Sequence, residues 1–212
     1  MHKFLLFIFF TFLYASDINN QLLDFLYDET GWILDENLED GSVIYVKNND
    51  NISLQAIKIS RNTKINPLII LDIIKDVKNY NSVLTSSSNI VTTPIFSDND
   101  IIAKHYISIP ILSDLYYFFK IYESNNRVYW LLQNSDDYQQ YYTDGYPLSI
   151  GCGGWDYQEL DNGTYNVNYR LIFDIDGYPS WVVNYINYYS LLNVYNDVIA
   201  AAFKKDKKIK FK

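Results

Sequence analysis

At 212 residues the chain is long enough for one domain that buries a sizeable core without disulfides or metals. Aromatic residues make up 17% of it, with 21 Tyr, 12 Phe and 4 Trp, about double the usual share; rings of this kind suit a thick core or a cavity wall, although codon supply biased toward Asn, Ile, Lys and Tyr gives the same composition. The formal net charge is −8, and an acidic chain argues against nucleic acid as a partner.

Met1, His2 and Lys3 form a short positive start, Phe4 to Tyr14 an apolar run, and Ala15-Ser16 a small-residue exit before Asp17. This is the form of a signal peptide over residues 1–16, and the run is too short to span a hydrocarbon core of about 30 Å. Export to a periplasmic or secreted location is therefore expected, with cleavage near Ala15 or Ser16. The large Leu13 and Tyr14 keep an uncleaved anchor as the alternative. In an oxidising compartment the single cysteine, Cys152, has no internal partner and reads as a small core residue.

Residues 17–212 read as one domain. Asp17 to Asp28 is an amphipathic helix carrying Leu22, Leu23, Phe25 and Leu26. Three strands follow at Gly31 to Glu39, Ser42 to Asn48 and Ile52 to Ser60, with Asp40-Gly41 as the first hairpin turn. Asn66-Pro67 caps and starts a helix bearing Leu68, Leu71, Ile74 and Val77 at helical spacing, which ends at Asn79 to Asn81.

Further strands are expected at Ile90 to Phe96, Ile101 to Ile109, Leu115 to Glu123, Arg127 to Gln133, Trp155 to Leu160 and Tyr165 to Asp174. In the last, Tyr165, Val167, Tyr169, Leu171 and Phe173 share one face while Asn166, Asn168 and Arg170 share the other. That parity predicts a sheet with one face in the core. Pro179 suits the first turn of a long final helix, whose stripe Trp181, Tyr185, Tyr188, Leu192, Tyr195, Ile199 and Ala202 is expected to face the sheet. The tail 204–212 holds six Lys and one Asp, whereas residues 17–203 hold ten basic and twenty-four acidic side chains. A Lys-rich tail spaced by Ile209 and Phe211 either contacts an anionic membrane or is a solvated end. The whole predicts an α+β fold, a curved antiparallel sheet wrapped around a long C-terminal helix and able to enclose a hollow.

The segment Gly154-Trp155-Asp156-Tyr157-Gln158-Glu159-Leu160, the turn Asn162-Gly163-Thr164, and the run Asp174-Ile175-Asp176-Gly177-Tyr178-Pro179-Ser180-Trp181-Val182-Val183-Asn184 resemble the C-terminal signature of START (StAR-related lipid transfer) domains. These belong to the helix-grip, polyketide cyclase-like superfamily. Gly31-Trp32, Ile44-Tyr45, Pro110 and Asp114 fit its earlier strands and its Pro-bearing loop; Ser113, where the family often has Arg, and Ile175-Asp176, where it has Pro-Gly, depart from it.

The resemblance implies lipid binding, and with it lipid transport, in a cavity between the long helix and the sheet. Its walls are expected to be Trp181, Tyr185, Tyr188 and Leu192 opposite Tyr169, Leu171 and Phe173, with His105, Arg127 and Arg170 as polar contacts. Ile109, Pro110, Ile111 and Leu112 would form the pocket mouth. Strand parity puts Arg170 opposite Tyr169, where a surface ion pair is the alternative. No catalytic or metal-binding residues and no cofactor are expected: residues 17–212 contain one histidine, His105, and Asp136-Asp137 lie in a polar turn. The rival readings are a cyclase-like or hydrolytic enzyme using the same cavity, and a filled-core envelope protein that binds a protein partner.

Overall fold

The structure, a computed structural model, describes residues 18–49, 54–86, 89–96, 100–108 and 114–210. The 1–16 segment and the Ile109, Pro110, Ile111 and Leu112 loop therefore lie outside the described residues. In chain order the elements are α1 (residues 18–27), β1 (Ile33–Asn37), β2 (Val43–Asn49), β3 (Leu54–Thr63), α2 (Pro67–Lys75) and α3 (Tyr80–Val83). Next come β4 (Ile90–Phe96), β5 (Ile101–Ile107), β6 (Leu115–Ser124), β7 (Arg127–Gln133), a 3-10 segment at Ser135–Tyr141, β8 (Tyr146–Pro147), β9 (Gly151–Glu159), β10 (Tyr165–Phe173) and α4 (Ser180–Lys210).

The strands form one sheet in the order β1-β2-β3-β10-β9-β7-β6-β5-β4. Every neighbouring pair in that order is antiparallel, and the short β8 adds to β6 in parallel. The 31-residue α4, about 46 Å long at 1.5 Å per residue, packs on β3, β10 and α2. Asn66 caps α2 by accepting from the Leu68 N–H at 3.0 Å, with Pro67 in the first turn, as its sequence predicts. The Lys-rich tail continues α4 through Lys210.

Trp155 anchors the join between sheet and helix. It is 1% exposed and lies between two parallel rings, Tyr169 at 4.6 Å across the strands and Tyr195 of α4 at 5.7 Å, an arrangement that adds to simple burial. β9 begins at Gly151, four residues ahead of the strand expected at Trp155. A glycine-rich run reads as a strand breaker, but here the absent side chains admit neighbours. An added Cβ on Gly153 would stand 2.6 Å from Trp130 Cζ2 and 2.7 Å from the Arg170 carbonyl oxygen. Gly153→Ala is accordingly expected to destabilise by about 1–3 kcal/mol in urea unfolding, because a carbonyl in a paired strand cannot move aside; a neutral result would mean that β9 tolerates displacement.

Both faces of the sheet centre are covered, which corrects the one-sided burial expected of β10. Asn168, Arg170 and Ile172 are as buried as Tyr169 and Leu171, because α1 lies on the face opposite α4. Leu22 and Leu26 are buried there. Asn19 fastens the helix: its Nδ2 donates to the Leu132 and Ser149 carbonyls at 3.0 and 2.9 Å, and its Oδ1 accepts from the Gly151 N–H at 2.8 Å. The 3-10 segment similarly covers the outer face of β4 to β6, stacking Tyr138 on Phe118 at 4.8 Å.

Candidate functional site

An elongated hollow lies between α4 and the cavity face of the sheet. Its floor is Tyr169, Leu171 and Phe173 of β10, Trp155 of β9 and Trp130 of β7; β5 and β6 add His105, Ile107, Tyr117 and Phe119. α2 and α3 close one side through Ile73, Ile74, Tyr80 and Val83, and Ser190, Val194 and Val198 of α4 form the roof. The room open to the centres of water-sized molecules is about 50 Å³, within about 710 Å³ of atom-free space that includes the mouth. At roughly 10–15 Å³ per water centre, it holds a few waters as it stands. No Asp, Glu, Lys or Arg lines it among the described residues.

His105 is the one imidazole in this lining among the described residues, beside the hydroxyls of Tyr80, Tyr117, Tyr169 and Ser190. It projects from β5 directly across from Tyr117 of β6, and its Nδ1 sits 2.9 Å from the Tyr117 hydroxyl. The ring packs edge-on against Phe119, with centroids 4.6 Å apart. Its Nε2 is buried and has no hydrogen-bond partner among the described residues. Burial pushes its pKa down from 6.5 to about 3, so the imidazole is neutral at physiological pH. The Tyr80, Tyr117 and Tyr169 hydroxyls are pushed up by the same burial, which leaves the wall uncharged.

A depressed histidine makes the fold acid-sensitive. Below pH 6.5 the unfolded chain binds a proton at this site that the folded chain refuses until about pH 3. Stability from this group is complete above the unfolded pKa and declines as pH falls, by roughly 1–2 kcal/mol per pH unit. Between pH 6.5 and 4.5 the wild type is expected to lose about 2 kcal/mol more than His105→Gln in urea unfolding. Parallel losses in the two proteins would show that His105 is protonated in the folded state.

Of the residues expected at the site, the structure brings Tyr169, Leu171, Phe173 and His105 together on the cavity wall. The α4 residues are corrected. Trp181 is 74% and Tyr185 60% exposed, while Tyr188 turns outward to bond the Glu36 carboxylate, and Leu192 is half-buried away from the hollow. The inward stripe runs instead through Val183, Ile186, Asn187, Leu191, Tyr195, Val198 and Ala202, meeting the expected one only at Tyr195 and Ala202. Polar residues decide the phase. Asn187 is fully buried, donating to the Phe173 carbonyl at 3.1 Å, and Asp197 is buried, accepting from the Ser86 N–H and Oγ at 2.8 and 2.7 Å. A stripe weighted by aromatic rings cannot register polar groups whose partners arrive from other elements.

Arg127 and Arg170 are corrected too, since both project from the face under α1. The Arg127 guanidinium lies 3.6 Å from the centre of the Tyr27 ring, a cation–π contact. Arg170 Nε bonds Asp156 at 2.9 Å, its Nη2 bonds Glu29 at 2.6 Å and its Nη1 donates to the Leu26 carbonyl at 3.1 Å. Lys47 reaches the Phe25 and Asp28 carbonyls, each at 2.9 Å. Arg170 and Lys47 thereby satisfy carbonyls at the C-terminal end of α1, where the helix dipole favours positive charge. They hold the helix in place. Cys152 is fully buried on this face and its thiol is pushed up by burial, consistent with an inert core residue.

Trp130, Tyr117, Ser190, Val194 and Val198 were not among the expected site residues. Strand parity alone places Trp130 and Tyr117 on the cavity face once register is known, but register between distant strands is not written in local sequence. Among the described residues no helix is long and apolar enough to cross a membrane, and no group of His, Cys, Asp and Glu could hold a metal ion.

No protein-family model matches the sequence. No curated protein matches it either. Solved structures do. Human StAR-related lipid transfer protein 5 superposes with a TM-score of 0.65 at 12% identity, covering 91% of this chain and 96% of that one. The STAR-related lipid transfer protein from Xanthomonas axonopodis superposes with a TM-score of 0.57 at 16% identity, covering 82% of this chain and 98% of that one. The Zhui aromatase/cyclase from Streptomyces sp. R1128 reaches 0.50 at 6% identity, over 73% of this chain and 94% of that one. The chain thus has the α+β helix-grip fold of the START-related structures, a large antiparallel sheet gripping a long C-terminal helix.

Proposed function

We propose that the protein binds a lipid or another hydrophobic molecule in the hollow beneath α4, and that it does so outside the cytoplasm. The observation that carries this is the wall: among the described residues, eighteen without a formal charge line the space, and thirteen of them are aliphatic or aromatic hydrocarbons or indoles. Each methylene transferred into such a wall contributes about 0.8 kcal/mol, so an acyl chain or fused-ring skeleton is held without covalent chemistry. The likeness to proteins named for lipid transfer supports the same reading. About 50 Å³ of open room is too little for a long chain, so binding requires the roof or the α2–α3 side to shift outward.

Export rests on the form of residues 1–16, and the domain then comprises residues 17–212. The lysines at 204, 205, 207 and 208, with Phe203 and Ile209 exposed beside them, would let the end of α4 touch an anionic membrane surface at about 1 kcal/mol per charge, giving a transfer protein a place to exchange its ligand. The cyclase-like alternative draws support from the likeness to an aromatase/cyclase. Against it, proton transfer needs a group with a pKa near the working pH, and His105 is held near 3.

Native mass spectrometry of the purified protein, followed by organic extraction, tests the reading. About one lipid per chain is the expected result. Protein that stays empty after incubation with phosphatidylcholine vesicles, with and without phosphatidylglycerol, would reject it in favour of a filled core.

A further inference from the structure

His105 Nε2 is a buried polar atom without a hydrogen-bond partner among the described residues. The residue is 8% exposed and lines the cavity. Leaving such an atom unpaired costs about 1–3 kcal/mol, so the hollow carries a built-in demand for one hydrogen bond. Beside it, Thr92 of β4 pairs directly across from His105, and its hydroxyl is likewise buried and unpartnered among the described residues. Directly opposed residues on neighbouring strands stand about 4.5–5.5 Å apart. The β4–β5 pairing therefore sets two unmet polar groups side by side, of which His105 lines the hollow.

The chemistry of the missing partner follows from the Tyr117 contact. If Nδ1–H donated to the Tyr117 oxygen, both the phenol hydrogen and the Nε2 lone pair would be left without partners. If the phenol donates to Nδ1, only Nε2–H is left. A phenol is a stronger donor than acceptor and a neutral imidazole nitrogen is a good acceptor, so the second arrangement is favoured on both counts. Nε2 then presents an N–H and calls for an oxygen acceptor. A carboxylate fits poorly: among the described residues no Lys or Arg lines the hollow, and an uncompensated buried anion is far more costly than a neutral dipole.

Resting on the hydrophobic-ligand reading above, we propose that His105 Nε2 is the polar anchor of the cavity and that its ligand is a neutral molecule presenting one carbonyl, ester, ether or hydroxyl oxygen to the β4–β5 corner. An ionic headgroup, where the ligand has one, stays at the mouth. His105 thereby selects for oxygen-bearing ligands over plain hydrocarbons of the same shape.

Octan-2-one and octane, which differ mainly in the carbonyl, separate the possibilities. Their affinities for purified wild type, His105→Phe and His105→Gln protein are measured by tryptophan fluorescence, since Trp130 and Trp155 line the hollow. The imidazole is followed by 15N NMR of histidine-labelled protein, with the His105 signal assigned by its loss in His105→Gln. The wild type is expected to prefer the ketone, with an Nε2–H resonance that moves on adding ketone and not on adding octane. The ratio of ketone to octane affinity is the quantity read, because a change in cavity shape acts on both probes alike, and in His105→Phe that ratio is expected to fall about fivefold to tenfold. Both probes binding with the same ratio in wild type and His105→Phe, or an Nε2 signal indifferent to the ketone, overturns the anchor while sparing the hydrophobic cavity. Neither probe binding overturns the cavity reading and the anchor together. Should His105→Phe not fold, the NMR response of the wild type decides alone.

Discussion

In Val194→Phe protein, co-purifying lipid is expected to drop at least about tenfold relative to wild type. Val194 sits in the roof of the hollow, and a phenyl ring there enters open room of only about 50 Å³. Displacing two ligand methylenes at about 0.8 kcal/mol each already accounts for a factor of ten. Overpacking is expected to cost the fold about 1–3 kcal/mol, so thermal unfolding should remain cooperative. Trp181→Ala is the control: a side chain 74% exposed should change stability by less than about 0.5 kcal/mol and occupancy not at all. Native mass spectrometry of the three proteins reads the outcome. A folded Val194→Phe protein that keeps its lipid would mean that the ligand sits somewhere other than under α4.

Arg170→Ala should be the most destabilising single change on the opposite face, by about 3–5 kcal/mol in urea unfolding. Its side chain is 3% exposed, and that of its partner Asp156 is 14%. Truncation would strand the largely enclosed Asp156 carboxylate and the Leu26 carbonyl, which Arg170 Nη1 otherwise satisfies. Glu29 is different, because its side chain is 64% exposed and water replaces the lost partner. Glu29→Ala is accordingly expected to cost no more than about 1 kcal/mol. The combination Arg170→Met with Asp156→Leu should recover much of the loss, since replacing both members of a buried pair with apolar groups removes the unpaired charge. A loss below about 1 kcal/mol in Arg170→Ala would show that water reaches Asp156 beneath α1. The network would then contribute little to holding the helix.

The two faces of β10 show what local pattern can and cannot supply. Alternation separated Tyr169, Leu171 and Phe173 from Asn168 and Arg170 correctly, because side-chain parity in a strand is a property of the backbone. Whether the second face meets solvent depends on α1, which arrives from 144 residues away in sequence to meet Arg170 at Leu26. The polar pattern that suggested water instead marks a buried ion-pair network.

The order of helices and strands, the Asn66-Pro67 helix start, the Asp40-Gly41 and Asn162-Gly163 hairpins and the cavity-facing set on β10 all follow from short-range rules of capping, positive φ and period. Sequence by itself therefore determined the α+β class and half of the hollow. Tertiary structure alone decided which way α4 turns, which side Arg127 and Arg170 serve, and that His105 Nε2 has no partner among the described residues. Each of these depends on partners distant in the chain: the Phe173 carbonyl for Asn187, Ser86 for Asp197, the end of α1 for Arg170, and Tyr117 across the sheet for His105. Apolar residues advertise burial through periodicity, whereas a polar residue can be buried only where the rest of the fold delivers its partner.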